Sequence, residues 1–142
     1  MAVVVLGNVL KKDLKAIEAR HGRAVRVAYA KVARAALKVL IEKAPVDTGQ
    51  LVSNYRVGLG RSVPRAQIDP YAPGKKGSTA GANRAAAYAA AAAKLTNIKD
   101  LSQDIRIVNT AKHWKFNKDV PAHVDAALAA GEAAMVGVKV FL

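Results

Sequence analysis

Three histidines and a Ser–Asp–His trio are the groups with which this chain could do chemistry. His113 and His123 stand ten residues apart across Pro121, which is not the spacing of a helical metal-binding pair. Asp119 or Asp125 could be drawn in as further ligands, but nothing in the sequence fixes that geometry. His21 falls on an apolar helix face and reads as a packing or interface residue. The absence of Cys removes disulfides and thiolate sites. No cofactor or metal is expected.

Ser53, Asp47 and His113 supply the residue types of a nucleophilic triad, yet no G-x-S-x-G elbow accompanies them. Acyl transfer would also require a positioned oxyanion site. Gly74-Lys75-Lys76-Gly77-Ser78-Thr79 resembles a phosphate loop only in composition, since Gly77 is followed by Ser78 and not by Lys. The acids are scattered without a paired-carboxylate arrangement. The expectation is therefore a protein that is not an enzyme.

The elements that would position these groups follow from periodicity. Residues 12–43 read as one helix, with Leu14, Ile17, His21, Val25, Ala28, Val32, Ala36 and Val39 on an apolar stripe that Leu40 widens. Its length would be about 45 Å, with a weak point at Gly22. Pro45 must end it, because proline has no amide hydrogen and restricts Ala44. Asp47 can accept a backbone hydrogen bond and Gly49 can take a positive φ, so Pro45–Leu51 reads as a compact turn. Leu51, Ser53, Tyr55, Val57 and Leu59 alternate as a strand would.

Residues 61–83 hold prolines, glycines, Lys75 and Lys76, the composition of a flexible basic loop. Asn83–Leu95 is Ala-rich and should be helical. Asp104–Asn109 reads as a strand. Val120–Ala134 reads as a helix started by Pro121 and interrupted near Gly131. Residues 135–142 could add a terminal strand. Residues 1–11 hold either a short strand at Val3–Leu6 or an extended arm. The whole of 1–142 is expected to be one α+β domain. A long N-terminal helix would pack on a small antiparallel β-sheet, with a second Ala-rich helix and a long basic loop.

The net charge is +13, and residues 11–43 carry ten Lys or Arg against three acids. Arg20, Arg23, Arg26, Lys31 and Arg34, with Lys75 and Lys76 in the loop, are candidates to face DNA or an acidic protein surface. No base-reading module is evident. Trp114 and Phe116 either close the core or anchor an interface. No apolar run reaches membrane-spanning length, and Lys11 and Lys12 follow the apolar Met1–Leu10 where a secretory signal would place them first.

Three blocks together resemble the tail-component family of tailed bacteriophages, the minor tail, tail-completion and head–tail joining proteins. The first is Ala44-Pro45-Val46-Asp47-Thr48-Gly49-Gln50-Leu51 with Ser53–Val57 after it. The second is Asp69–Ala80 leading into an Ala-rich helix that includes Asn83, similar to an insertion in one branch of the family. The third is Ile105-Arg106-Ile107-Val108-Asn109-Thr110, similar to a strand that ends in Asn. The family usually continues with Tyr-Ala and an acidic-then-Gly element, whereas this chain has Ala111–Asn117.

The resemblance implies a virion structural protein at the head–tail junction or the head-proximal end of the tail. It implies a hexameric or dodecameric ring of identical subunits around the DNA path, with neck, connector or tail-tube proteins as neighbours. Tail terminator, tail-completion protein and head-side connector all fit. The implied location is the virion, with the host cytoplasm during assembly, and no membrane. Pro45, Asp47, Thr48, Gly49 and Leu51 would form the structural turn. The alternatives are a small basic nucleic-acid-binding protein and, more remotely, a hydrolase of the cell envelope.

Overall fold

The computed structural model describes residues 2–5, 11–75, 77–98, 103–113 and 119–136, with backbone only for 2–5, 11–25, 97, 120, 135 and 136. Strand β1 (Ala2–Val5) is followed by helix α1 (Lys11–Lys43), a single helical turn α2 (Gln50–Ser53) and strand β2 (Tyr55–Leu59). Helix α3 (Ala80–Lys94), a 3-10 turn (Leu95–Asn97), strand β3 (Ile105–Asn109) and helix α4 (Val120–Val136) follow among the described residues. The class is α+β, with a long N-terminal helix, as the periodicity predicts.

The sheet has three antiparallel strands in the order β1-β3-β2. β3 is central, with Val4 opposite Ile107 on one side and Val57 opposite Ile107 on the other. Residues 2–5 are thus a sheet strand and not a free arm. Tyr55, Val57, Ile105 and Ile107 turn one face of the sheet toward the core, which Tyr29, Ala33, Leu37 and Leu40 of α1 fill. Ala87, Ala91 and Leu95 close it from α3. Alanine at these positions contributes little burial but lets the helix approach closely.

Helix α1 is buried on two sides. Ala28, Val32 and Ala36 of the expected stripe are buried. So are Tyr29, Ala33, Leu37, Ile41 and Ala44, which lie on a neighbouring face that the stripe did not include. The second burial comes from α4, which packs against α1 more extensively than any other element does. The expected interruption of α4 at Gly131 does not occur; the helix runs through it. A Cβ at Gly131 would lie 3.2 Å from Val32 Cγ1 and 3.6 Å from the Val32 carbonyl oxygen. Glycine there permits close helix contact and does not break the helix. Nor is α1 divided at Gly22, where its backbone is continuous.

Helix α4 also extends through Val136, so the expected terminal strand cannot start at Met135. The rest of 137–142 lies outside the described residues, as do Lys76, Trp114 and Phe116.

The end of α1 has a cap that the sequence does not advertise. Arg84 of α3 donates from Nε to the Ile41 carbonyl at 3.3 Å and from Nη2 to the Ala44 carbonyl at 3.1 Å. Helix carbonyls at a C-terminus lack intrahelical donors, and a cation there also opposes the helix dipole. Arg84→Met should therefore lower stability by about 1–2 kcal/mol. Urea unfolding would read the change, and an unchanged midpoint would remove the cap from the account.

Candidate functional site

Pro45 ends α1, and the chain turns through Val46–Gly49 into α2. The expected strand from Leu51 is not formed there. Gln50–Ser53 is one helical turn, and β2 begins at Tyr55. The reason lies in burial: Leu51, Val52, Ser53 and Asn54 are all inside, which suits a helical turn wedged into the body better than a two-faced strand. Gly49 has φ of 85°, the left-handed conformation expected of it. Thr48 Oγ1 lies 3.4 Å from the Gln50 amide.

What holds this corner is a set of buried asparagines. Asn83, fully buried in the first turns of α3, receives hydrogen bonds at Oδ1 from the Ser53 hydroxyl at 3.1 Å and the Ala72 amide at 2.9 Å. Its Nδ2 donates to the Ala72 carbonyl at 2.7 Å and to Thr79 Oγ1 at 2.9 Å. Asn54, also fully buried, repeats the device. Its Oδ1 accepts from the Ile68 amide and the Thr110 hydroxyl, each at 2.8 Å. Its Nδ2 donates to the Ile68 carbonyl at 2.9 Å and the Gln50 carbonyl at 2.7 Å. Each side-chain amide thus grips both the N–H and the C=O of one loop residue, as a neighbouring strand would. Both donors and both acceptor sites of Asn54 are used.

Asn109, at the end of β3, donates to the Leu51 carbonyl at 3.0 Å and accepts from the Ala111 amide at 3.0 Å. The Gly77 amide donates to the Asp47 carbonyl at 2.9 Å, and the Thr110 amide to the Asn54 carbonyl at 3.0 Å. The three blocks around residues 45–57, 69–83 and 105–110 therefore meet in one corner. The described residues of 60–79 form neither a helix nor a named strand, but they lie across their own chain, pinned at Ala66, Ile68, Tyr71, Ala72 and Gly77. Helix α3 begins at Ala80, three residues before the expected start.

The groups first considered for chemistry are not assembled here. The buried Ser53 hydroxyl donates to an amide oxygen and accepts from the Tyr71 amide, while His113 is exposed. In and just after the Gly74–Thr79 segment, the Gly77, Ser78 and Ala80 amides bond to carbonyls of Asp47, Lys75 and Gly77, so these three amides do not form an anion cradle. Among the described residues no three His, Cys, Asp or Glu side chains cluster as metal ligands.

Of the candidate basic residues that are described, Lys75 lies at the edge of the corner and the others lie on α1. Lys31 is exposed on α1. Arg26 and Arg34 are half-buried and line an open groove with Ala30, Leu95 and Ile98. The backbone places Arg20 and Arg23 further up the same helix.

Two tyrosines set a pH dependence. Burial pushes the Tyr29 hydroxyl up from its ordinary value, and nearby Asp104 adds to this against a hydrogen bond to the Ile105 backbone. Burial likewise raises Tyr55, opposed by its hydrogen bond with Asn109. A raised folded-state pKa for an acid that is neutral when protonated means the fold holds protons that the unfolded chain releases. The stabilisation is complete below about pH 10 and is lost as pH rises through the folded-state values. The urea midpoint should fall steeply above about pH 10, and less steeply in Tyr29→Phe. Equal slopes in both proteins would contradict this.

Compared with protein-family models, curated proteins and solved structures, the chain has no significant match.

Proposed function

We propose that this chain is a structural protein of a tailed-phage virion, placed at the head–tail junction or the head-proximal end of the tail. Copies of it form a ring around the DNA path and join or complete the tail. The observation that supports this most is the meeting of the three blocks that resemble the tail-component family. They are distant in sequence and have no catalytic grouping in common, yet they build one hydrogen-bonded corner. The corner fixes the angle between the end of α1 and the sheet strand that follows it, and a ring-forming subunit needs such a fixed angle. Within the described residues no helix is long and apolar enough to cross a membrane.

The test has two arms. Purified protein is sized by light scattering and viewed by electron microscopy for six- or twelve-fold rings. Purified virions of the encoding phage are then probed with an antibody to this chain. Rings in solution and label at the neck support the reading; a strict monomer absent from virions would sink it. The exposed basic face of α1 favours a second reading, nonspecific DNA binding. That reading expects affinity to fall steeply with salt, and the salt slope to shrink when Arg26, Lys31 and Arg34 are neutralised.

A further inference from the structure

We infer that the exposed face of α4 docks on the exposed face of α1 of a second copy, making a head-to-tail contact. The inference rests on the self-assembly in the proposed function, though not on a location in the virion.

The charges of this basic chain are segregated between its two longest packed helices. Helix α4 contains Asp125 and Glu132 and no Lys or Arg. From Arg26 to Lys43, α1 contains five Lys or Arg and the single acid Glu42. Burial divides each helix cleanly. Gly131 and Ala127 of α4 face inward, and Pro121, Asp125, Leu128 and Glu132 are exposed. On α1, Val32 and Ala36 face α4, while Val27, Lys31 and Lys38 are exposed and Arg34 is half-exposed.

The two outward stripes have the same spacing. Pro121, Asp125, Leu128 and Glu132 recur at steps of four, three and four residues, and so do Val27, Lys31, Arg34 and Lys38. Residues so spaced lie along one helix face. Laid parallel, the stripes put Asp125 against Lys31 and Glu132 against Lys38. Both separations are seven residues, about 10 Å along a helix. Leu128 then rests on the aliphatic stem of Arg34, and Pro121 on Val27. Val27 and Leu128 are two of the three large apolar side chains exposed among the described residues, at 59% and 38%. Each therefore gains cover in the contact. Lys38 already has an exposed partner in Glu42 at 3.8 Å, and such a pair is weak enough to be shared.

The occupant is a second copy because α4 of this same chain carries an acidic stripe whose spacing and apolar residue match the α1 face. Each subunit offers one α1 stripe and one α4 stripe, and where these are met by two different neighbours the contact is heterologous and propagates to a closed ring or a filament.

Charge reversal tests the pairing by sedimentation velocity of the full chain. Lys31→Glu with Lys38→Glu makes both faces acidic; Asp125→Lys with Glu132→Lys makes both basic. Each variant alone should weaken assembly about tenfold or more, and wild-type assembly should weaken with added salt. All four changes in one chain should restore it, and an equimolar mixture of the two double variants should co-assemble. Circular dichroism melts check that each variant is folded. A wild-type chain that stays monomeric at every concentration overturns the inference. So does assembly that survives either double reversal, in which case the ring stands but is built from other surfaces.

Discussion

Gly49→Val should leave little soluble, folded protein. Two costs act at once. A β-branched residue at φ of 85° is strained by about 1–3 kcal/mol. In addition, the position of a Cβ at Gly49 is already filled by the side-chain amide of Asn83, whose Cγ would be 2.7 Å away. Forcing atoms into a packed site costs about 1–3 kcal/mol more. Together, at about 2–6 kcal/mol, they reach the lower end of a small domain's whole stability, about 5–15 kcal/mol. Gly49→Ala separates the two costs. In a background with Asn83→Ala the collision disappears and only the backbone strain remains. The double variant should be more stable than the sum of the single effects predicts, by about 1 kcal/mol or more. Urea melts of the four proteins give this coupling directly. A strictly additive result would show that Gly49 and Asn83 do not act as one unit.

The second large effect is expected from the asparagines themselves. Asn83→Ala and Asn54→Ala should each cost about 3 kcal/mol, since each leaves several peptide groups without partners. The two variants should fail in different places. Without Asn54, the stretch around Ile68 loses its hold, and limited trypsin digestion should open at Arg65. Without Asn83, the stretch from Ala72 to Thr79 is released, and cleavage should appear at Lys75. The same cut in both variants would mean that the loop is released as a whole and that the two grips are not separate. Asn83→Asp is a further control. It keeps the shape and the acceptor but cannot donate to the Ala72 carbonyl, and it adds a buried charge, so it should be no milder than alanine.

Much of the architecture is legible in the sequence because it follows local rules. Pro45 ends α1 at Lys43, the alternating Ile105 and Ile107 mark β3, and the Ala-rich run makes α3. The errors arise where burial in the whole molecule overrides a local pattern. Leu51, Ser53 and Tyr55 alternate as a strand does, yet Val52 and Asn54 between them are buried too, and a helical turn results. Gly131 looks like a breaker until α1 is placed against it. The second buried face of α1 was hidden because Tyr29, Ala33 and Leu37 become core only once the sheet and α3 arrive. The corner was visible as Asp47-Thr48-Gly49, but its fastening was not. Asn54 and Asn83 are ordinary polar residues in sequence, and only the fold brings a loop backbone within their reach.

The strand order has a consequence for how the chain comes to be folded. The central strand is β3, and both its neighbours, residues 2–5 and 55–59, are made long before it. The partner for the other side of α1 is later still, since α4 starts at Val120. A growing chain therefore carries a long helix with two apolar faces, and two unpaired strands, until its last third emerges. Pairing residues more than a hundred positions apart is slow because the intervening chain must be ordered first. The nascent protein thus has a prolonged interval in which it is exposed to chaperones and to premature association. Chains halted before Asn109 should depend on a chaperone to stay soluble, and completed chains should not.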